Sequence, residues 1–149
     1  MAQSDIRPGR LAVLDDHECW DLLRSQPVGR IAWSGAQGVS VVPVNFVVAD
    51  DSIVLRTTPY SLLARESTDR DVAFEVDHFD AEDHSGWSVL VRGRCVRVHR
   101  ASERSDPWAT GARVLDLQIE VRTVSGRRVI PSAGEGGPVG QSDGLFFTA

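Results

Sequence analysis

Residues 39–70 read VSVVPVNFVVADDSIVLRTTPYSLLARESTDR. Two runs, 39–48 and 53–58, are rich in β-branched residues, as strands are. A short acidic turn, Asp50-Asp51-Ser52, separates them. A third piece, starting at Pro59 or Tyr60 and ending near Asp69, reads as a short helix. In the first run Val42, Val44, Phe46 and Val48 share one face, and Val39, Val41, Pro43, Asn45 and Val47 share the other. Pro43 cannot donate a ladder hydrogen bond, so the strand is an edge or is bulged there. A free edge beside Asn45 is a place where a ligand meets backbone groups. Strand, turn, strand and helix bring Asn45, Arg56, Thr57 and Ser61 within reach of one another, a set suited to an anionic, aromatic ligand.

Upstream, residues 1–13 begin polar and read as an arm. Asp15 is placed as a helix N-cap, with Glu18 three residues on as a capping box requires and Leu14 stapled onto Cys19. That helix ends before Pro27. Residues 28–34 alternate, with Ile31 and Trp33 on one side, and the turn Gly35-Ala36-Gln37-Gly38 closes a hairpin into 39–48. Downstream, 71–78 alternates through Val72, Phe74 and Val76, and an acidic loop fills 80–86. A long strand is expected over 87–99, its apolar phase flipping from Val89 and Val91 to Val96 and Val98. A bulge at Gly93 accounts for the flip. Residues 101–106 read as one helical turn, broken by Pro107-Trp108. Strand 113–122, a turn at Ser125-Gly126 and a short strand 127–130 follow. From Pro131 the Gly, Pro and Ser content marks 131–149 as a tail. The chain thus divides into an arm (1–13), one domain (14–130) and a tail (131–149). About six strands with two or three short helices imply a mainly β, small antiparallel barrel, closed or split, since strands of this length need closure to protect their edges.

The chain has 149 residues, of which 42% are hydrophobic and 25% charged, enough for one domain with a core. The net charge of −5 argues against a nucleic-acid partner. All 16 basic residues are arginine, which excludes Schiff-base chemistry and a lysine phosphate clamp. Cys19 and Cys95 stand in apolar patterns as buried free thiols, consistent with a reducing compartment. No apolar run reaches the roughly 20 residues of a membrane span, and the start of the chain has no apolar leader, so a cytoplasmic location is expected. No Gly-rich phosphate loop follows a strand, and there is no CxxC or HExxH. Asp77, His78, Asp80, Asp83 and His84 match no familiar ligand spacing, so no metal site is assigned. The tryptophans at 20, 33, 87 and 108 suit a core.

The segment from Arg56 to Arg65 carries the best chemical signal. Arg56 ends a strand, Thr57 and Thr58 add hydroxyls, Ser61 lies in the first turn of a helix, and Arg65 follows one turn later. An arginine, hydroxyls and a helix start together form a phosphomonoester cradle. The bland alternative is an exposed edge arginine beside an ordinarily capped helix.

Residues 12–130 resemble the pyridoxamine 5'-phosphate oxidase-like, FMN-binding split-barrel family. The resemblance is carried by DDHECWDLLRSQPVGRIAW, VVPVNF, LRTTPYSLLA, AFEVD, GWSVLVRGR, the Pro-Trp at 107–108 and SGRRVI. It implies a flavin-binding oxidoreductase with FMN as cofactor. The family also includes deazaflavin-dependent reductases and haem-handling proteins, and a non-catalytic flavin- or haem-binding module is the competing reading. By position, Pro43, Val44, Asn45 and Phe46 would lie along the isoalloxazine. Arg56 and Thr57 would approach the ribityl-phosphate, Ser61 would touch the phosphate, and Ser88 would sit near the ring. A homodimer is implied, with Trp108 and Arg127 or Arg128 completing the neighbour's site. Where the family usually has a basic residue after the serine, this chain has Leu62. The lost contact is worth about 1.5–3 kcal/mol, or roughly ten- to a hundredfold in affinity, with Arg65 as the remaining cation. No residue is assigned as a catalytic acid or base. Pyridoxamine phosphate oxidation itself would need further basic residues that the sequence does not place.

Overall fold

A computed structural model of the protein describes residues 9–98 and 114–131. The chain order is β1 (Arg10–Leu14), α1 (Asp16–Arg24), β2 (Val28–Gly35), β3 (Gly38–Ala49), β4 (Ser52–Thr57), α2 (Leu62–Ser67), β5 (Arg70–Asp80), β6 (Ser85–Val98) and β7 (Leu115–Ile130). The helical turn expected at 101–106, the Pro107-Trp108 break, most of the tail and the start of the arm fall outside the described residues.

Every strand pairing is antiparallel, and the order β7-β4-β3-β2-β5-β6 closes on itself because β6 also pairs with β7. Six strands therefore form the barrel, as the alternating runs predict. β7 is its spine. One edge is covered by β6, while the other is shared by β4 over residues 115–120 and by β1 over 126–130. Inside, Ile31, Leu55, Phe74, Val91 and Ile119 are fully buried. Phe46 meets Phe74 edge-on, with ring centroids 4.9 Å apart.

α1 starts as its sequence dictates. The Asp15 side chain accepts from the Glu18 amide at 2.9 Å and the Glu18 carboxylate accepts from the Asp15 amide at 3.0 Å, a complete capping box. Its buried face, Cys19 and Leu23, packs onto the barrel.

The structure corrects four expectations. Arg10–Leu14, all but Leu14 of it placed in the arm, is a seventh strand, because β4 is too short to cover the whole edge of β7 and leaves residues 126–130 free to pair with β1. Ser125 and Gly126 are not a turn; β7 runs through them, paired with Leu90 and Val89. Gly126 serves close approach instead, since a Cβ there would stand 2.7 Å from Cys19 Sγ and 2.9 Å from Leu14 Cδ1. Third, the register shift falls between Arg92 and Gly93, where a bulge is expected, but β6 itself keeps one phase, with Val89, Val91, Gly93 and Cys95 all buried. The extra residue is Arg122 on β7, since Arg92 opposes Thr123 and Gly93 opposes Val121. This bulge moves the inward set of β7 from Leu117 and Ile119 to Val124 and Gly126. Finally, α2 starts at Leu62, with Ser61 as its N-cap rather than inside its first turn. No helix among the described residues is long and apolar enough to cross a membrane.

Candidate functional site

β3 changes partner partway along its length. Residues 38–45 pair with β2, whereas 46–49 pair with β4. Beyond Leu55, Arg56 and Thr57 of β4 pair only with β7. β3 and β4 therefore diverge at Asn45 and Arg56, and the chain after β4 turns into α2. The gap is a cavity of about 530 Å3 lined by Trp33, Ser40, residues 41–44, Thr57, Ser61, Leu62 and Leu63. Its volume falls in the range of small-molecule sites.

One wall is a free strand edge. The Phe46 amide donates to the Pro27 carbonyl at 3.2 Å, on the β2 side. Backbone groups alternate along a strand, so those of Val41, Pro43 and Asn45 face the other way, into the cleft. Pro43 thus sits where its missing N–H breaks no ladder bond. The other wall carries two hydroxyls. Thr57 and Ser61 hydrogen-bond through their hydroxyls at 2.9 Å, and the Ala64 amide donates to Ser61 Oγ at 3.1 Å. Two hydroxyls hold two protons and only one is used between them, so one is left for a ligand.

The lining has no charged side chain. Leu62, 54% exposed, lines the cavity next to Ser61. Arg56 lies on the opposite face of β4 from Thr57, with Nε 3.2 Å from Asp116 Oδ1. Arg65 is exposed on α2.

Pro43, Val44, Thr57, Ser61 and Leu62 thus meet at one cleft, with the Asn45 backbone at its edge. The Asn45 side chain is exposed, and Phe46 is buried against Phe74. Ser88 sits on β6 between Asp77 and Arg127, away from the cleft lining. Arg127 and Arg128 are exposed on β7 opposite Ser88 and Trp87. Trp108 lies outside the described residues.

Sequence reasoning missed Trp33, Ser40, Val41, Val42 and Leu63 as lining residues. The alternation in β2 and β3 marks Trp33 and Val42 as inward, but only the divergence of β3 from β4 exposes them to a cavity. Beside the cleft, on the outer face of β2 and β5, Arg30 Nη1 lies 3.0 Å from both Glu75 and Asp77. Partial burial, then the neighbouring Asp77, push the Glu75 carboxyl above the usual carboxylate range despite Arg30.

Comparison with known proteins agrees with the architecture. A family model described as pyridoxamine 5'-phosphate oxidase matches residues 15–128. The chain is 32% identical over 128 residues to the uncharacterized protein Rv0080 of Mycobacterium tuberculosis, covering 78% of this chain and 84% of that one. Among solved structures, the FAD binding protein from Mycobacterium smegmatis is 29% identical with a TM-score of 0.67, over 80% of this chain and 98% of that one. A protein from Corynebacterium glutamicum, named as a pyridoxamine 5'-phosphate oxidase homologue, is 25% identical with a TM-score of 0.67, over 81% and 99%.

Proposed function

The chain belongs to the pyridoxamine 5'-phosphate oxidase family, and from that premise we propose that it is a flavin-binding oxidoreductase whose cofactor lies in the cleft between β3 and α2. The observation that carries the reading is the free edge of β3 facing a hydroxyl pair across a cavity of ligand size. Likeness to the FAD binding protein from Mycobacterium smegmatis supports it. The ring would lie along Pro43, Val44 and Asn45, its polar edge meeting main-chain groups of Val41 and Asn45, with Phe46 packed behind. Thr57 and Ser61 would meet the ribityl chain and first phosphate, while Arg56 and Arg65, the cations of the same two elements, lie outside the cleft lining.

The uncharged lining at Leu62 bears on which flavin. FMN ends in a monoester near its second ionisation at neutral pH, while the same phosphorus in FAD is half of a pyrophosphate that carries two negative charges in all. With no cation in the lining, neither anion gains a charge-assisted contact there, so riboflavin should lose little affinity relative to FMN and FAD.

A bound flavin supplies hydride and electron transfer; the chain supplies orientation and a largely apolar cleft. Its lining residues offer no carboxylate or imidazole, so proton transfer would fall to the Ser61–Thr57 hydroxyl pair or to water. A second copy of the chain completes the site in this reading. Val39, Val41 and Val47 are 76%, 58% and 60% exposed along the outer face of β3, an apolar strip suited to a dimer contact. Ser88, Trp108, Arg127 and Arg128 are the candidates for contacts to the neighbour's ligand.

The test is the visible spectrum of the untagged protein, followed by titration with FMN, FAD and riboflavin. Low-micromolar binding, on the order of −8 kcal/mol, together with NAD(P)H-dependent reduction and reoxidation, supports the oxidoreductase. Retention without turnover favours a binding module. No flavin binding overturns the reading and moves deazaflavin and haem to the front.

A further inference from the structure

The β2–β3 hairpin forms one wall of the cleft, and its tip is free on both edges. β2 pairs with β5 only through residues 30–32, so Trp33, Ser34 and Gly35 have no partner there. β3 pairs with β4 only from Phe46 onward, so residues 38–45 have none on that side. A second cavity, of about 450 Å3, opens where β2 leaves β5, lined in part by Ala32, Trp33, Ser34, Asp71 and Arg122. Trp33 borders both cavities. A two-stranded ribbon is marginal alone, so something must hold this tip in place.

Glu66 on α2 meets that need. Trp33 Nε1 donates to Glu66 Oε2 at 2.8 Å, and the Ala36 amide faces Glu66 Oε1 at 3.4 Å. One carboxylate therefore takes the buried indole of β2 and the turn that joins β2 to β3. It also lies directly over Gly35, where an added Cβ would collide with it. No other side-chain hydrogen bond among the described residues joins α2 to the hairpin.

We infer that Glu66 is a positioning residue: it latches the β2–β3 hairpin to α2 and thereby sets the width of the cleft between residues 41–44 and Ser61-Leu62. The flavin reading supplies only the ligand; the latch itself is a property of the ligand-free protein. Two variants open it from opposite sides. Glu66→Ala removes the acceptor. Gly35→Ala drives a methyl into the carboxylate and costs little locally, since Gly35 has no positive φ. Glu66→Gln keeps an acceptor for the indole and should rescue.

The experiment is hydrogen exchange on the ligand-free proteins, paired with flavin titration and dissociation kinetics. In both opening variants, amides of residues 33–40 should exchange about tenfold faster or more, while those of β6 and β7 stay as in the parent. Flavin affinity should fall by about tenfold through faster dissociation, and Glu66→Gln should remain within about threefold. Unchanged exchange at 33–40 in both variants overturns the latch. Faster exchange with unchanged flavin affinity overturns its positioning role. A parent protein that takes no flavin overturns the functional reading instead, and the exchange data still decide the latch. If Glu66→Ala does not fold, Gly35→Ala against Glu66→Gln carries the same comparison.

Discussion

Replacing Leu62 by lysine tests the cleft most directly. Leu62 lines the cavity next to Ser61 and is 54% exposed, so a lysine stem can lie along the same surface with its ammonium toward the hydroxyl pair. A charge-assisted hydrogen bond to phosphate is worth about 1.5–3 kcal/mol where water is excluded. Half-exposure screens this toward the lower end, so Leu62→Lys should tighten FMN binding by roughly tenfold. Losing a half-buried leucine costs stability by no more than about 1 kcal/mol. Fluorescence titrations with FMN and riboflavin, run in parallel, isolate the phosphate. FMN should gain, riboflavin should change less than about twofold, and the gain should shrink at about 0.5 M salt, where the screening length is only a few Å. Equal shifts for the two ligands would refute the placement, because the lysine would then be acting on the ring or on the fold.

Other perturbations probe the frame around the site. Gly93→Ala puts a Cβ against the Glu120 backbone at the β7 bulge, 2.9 Å from its carbonyl carbon, and should lower stability by about 2 kcal/mol or more in urea melts. Ser61→Ala removes the α2 cap and the partner of Thr57, a loss of about 1 kcal/mol that thermal unfolding should report together with weaker flavin binding. Glu75 has a folded-state pKa above its unfolded value, so its contribution is fully present below the unfolded pKa and is lost as pH rises through the folded one. The stability gain of Glu75→Gln over the parent should therefore be larger at neutral pH than near pH 4, as paired melts can show. Burial raises the thiol pKa of both Cys19 and Cys95, so neither should react with a thiol reagent at mildly alkaline pH until denaturant is added.

Much of this protein is written in local patterns. Period-two alternation places Val42, Val44 and Phe46 inward, Asp15 and Glu18 cap α1, and Pro43 marks a free edge, because each depends on residues a few positions apart. The family likewise follows from short motifs in order. Three features escape such reading. The phase of β6 looks broken near Gly93, yet the extra residue is Arg122 on a strand nearly thirty residues later, since a bulge belongs to a pair of strands. Arg56 and Thr57 read as one cradle, but neighbours in a strand point to opposite faces, and Asp116 on β7 holds Arg56 on the far side. The bond from Trp33 to Glu66 joins residues 33 positions apart in the chain, and nothing local announces it. The sequence by itself determined the strands, the capped helix and the edge at Pro43. Only the closed barrel decided where β3 leaves β4, and hence that a cleft exists there, because strand divergence depends on how long each partner stays paired.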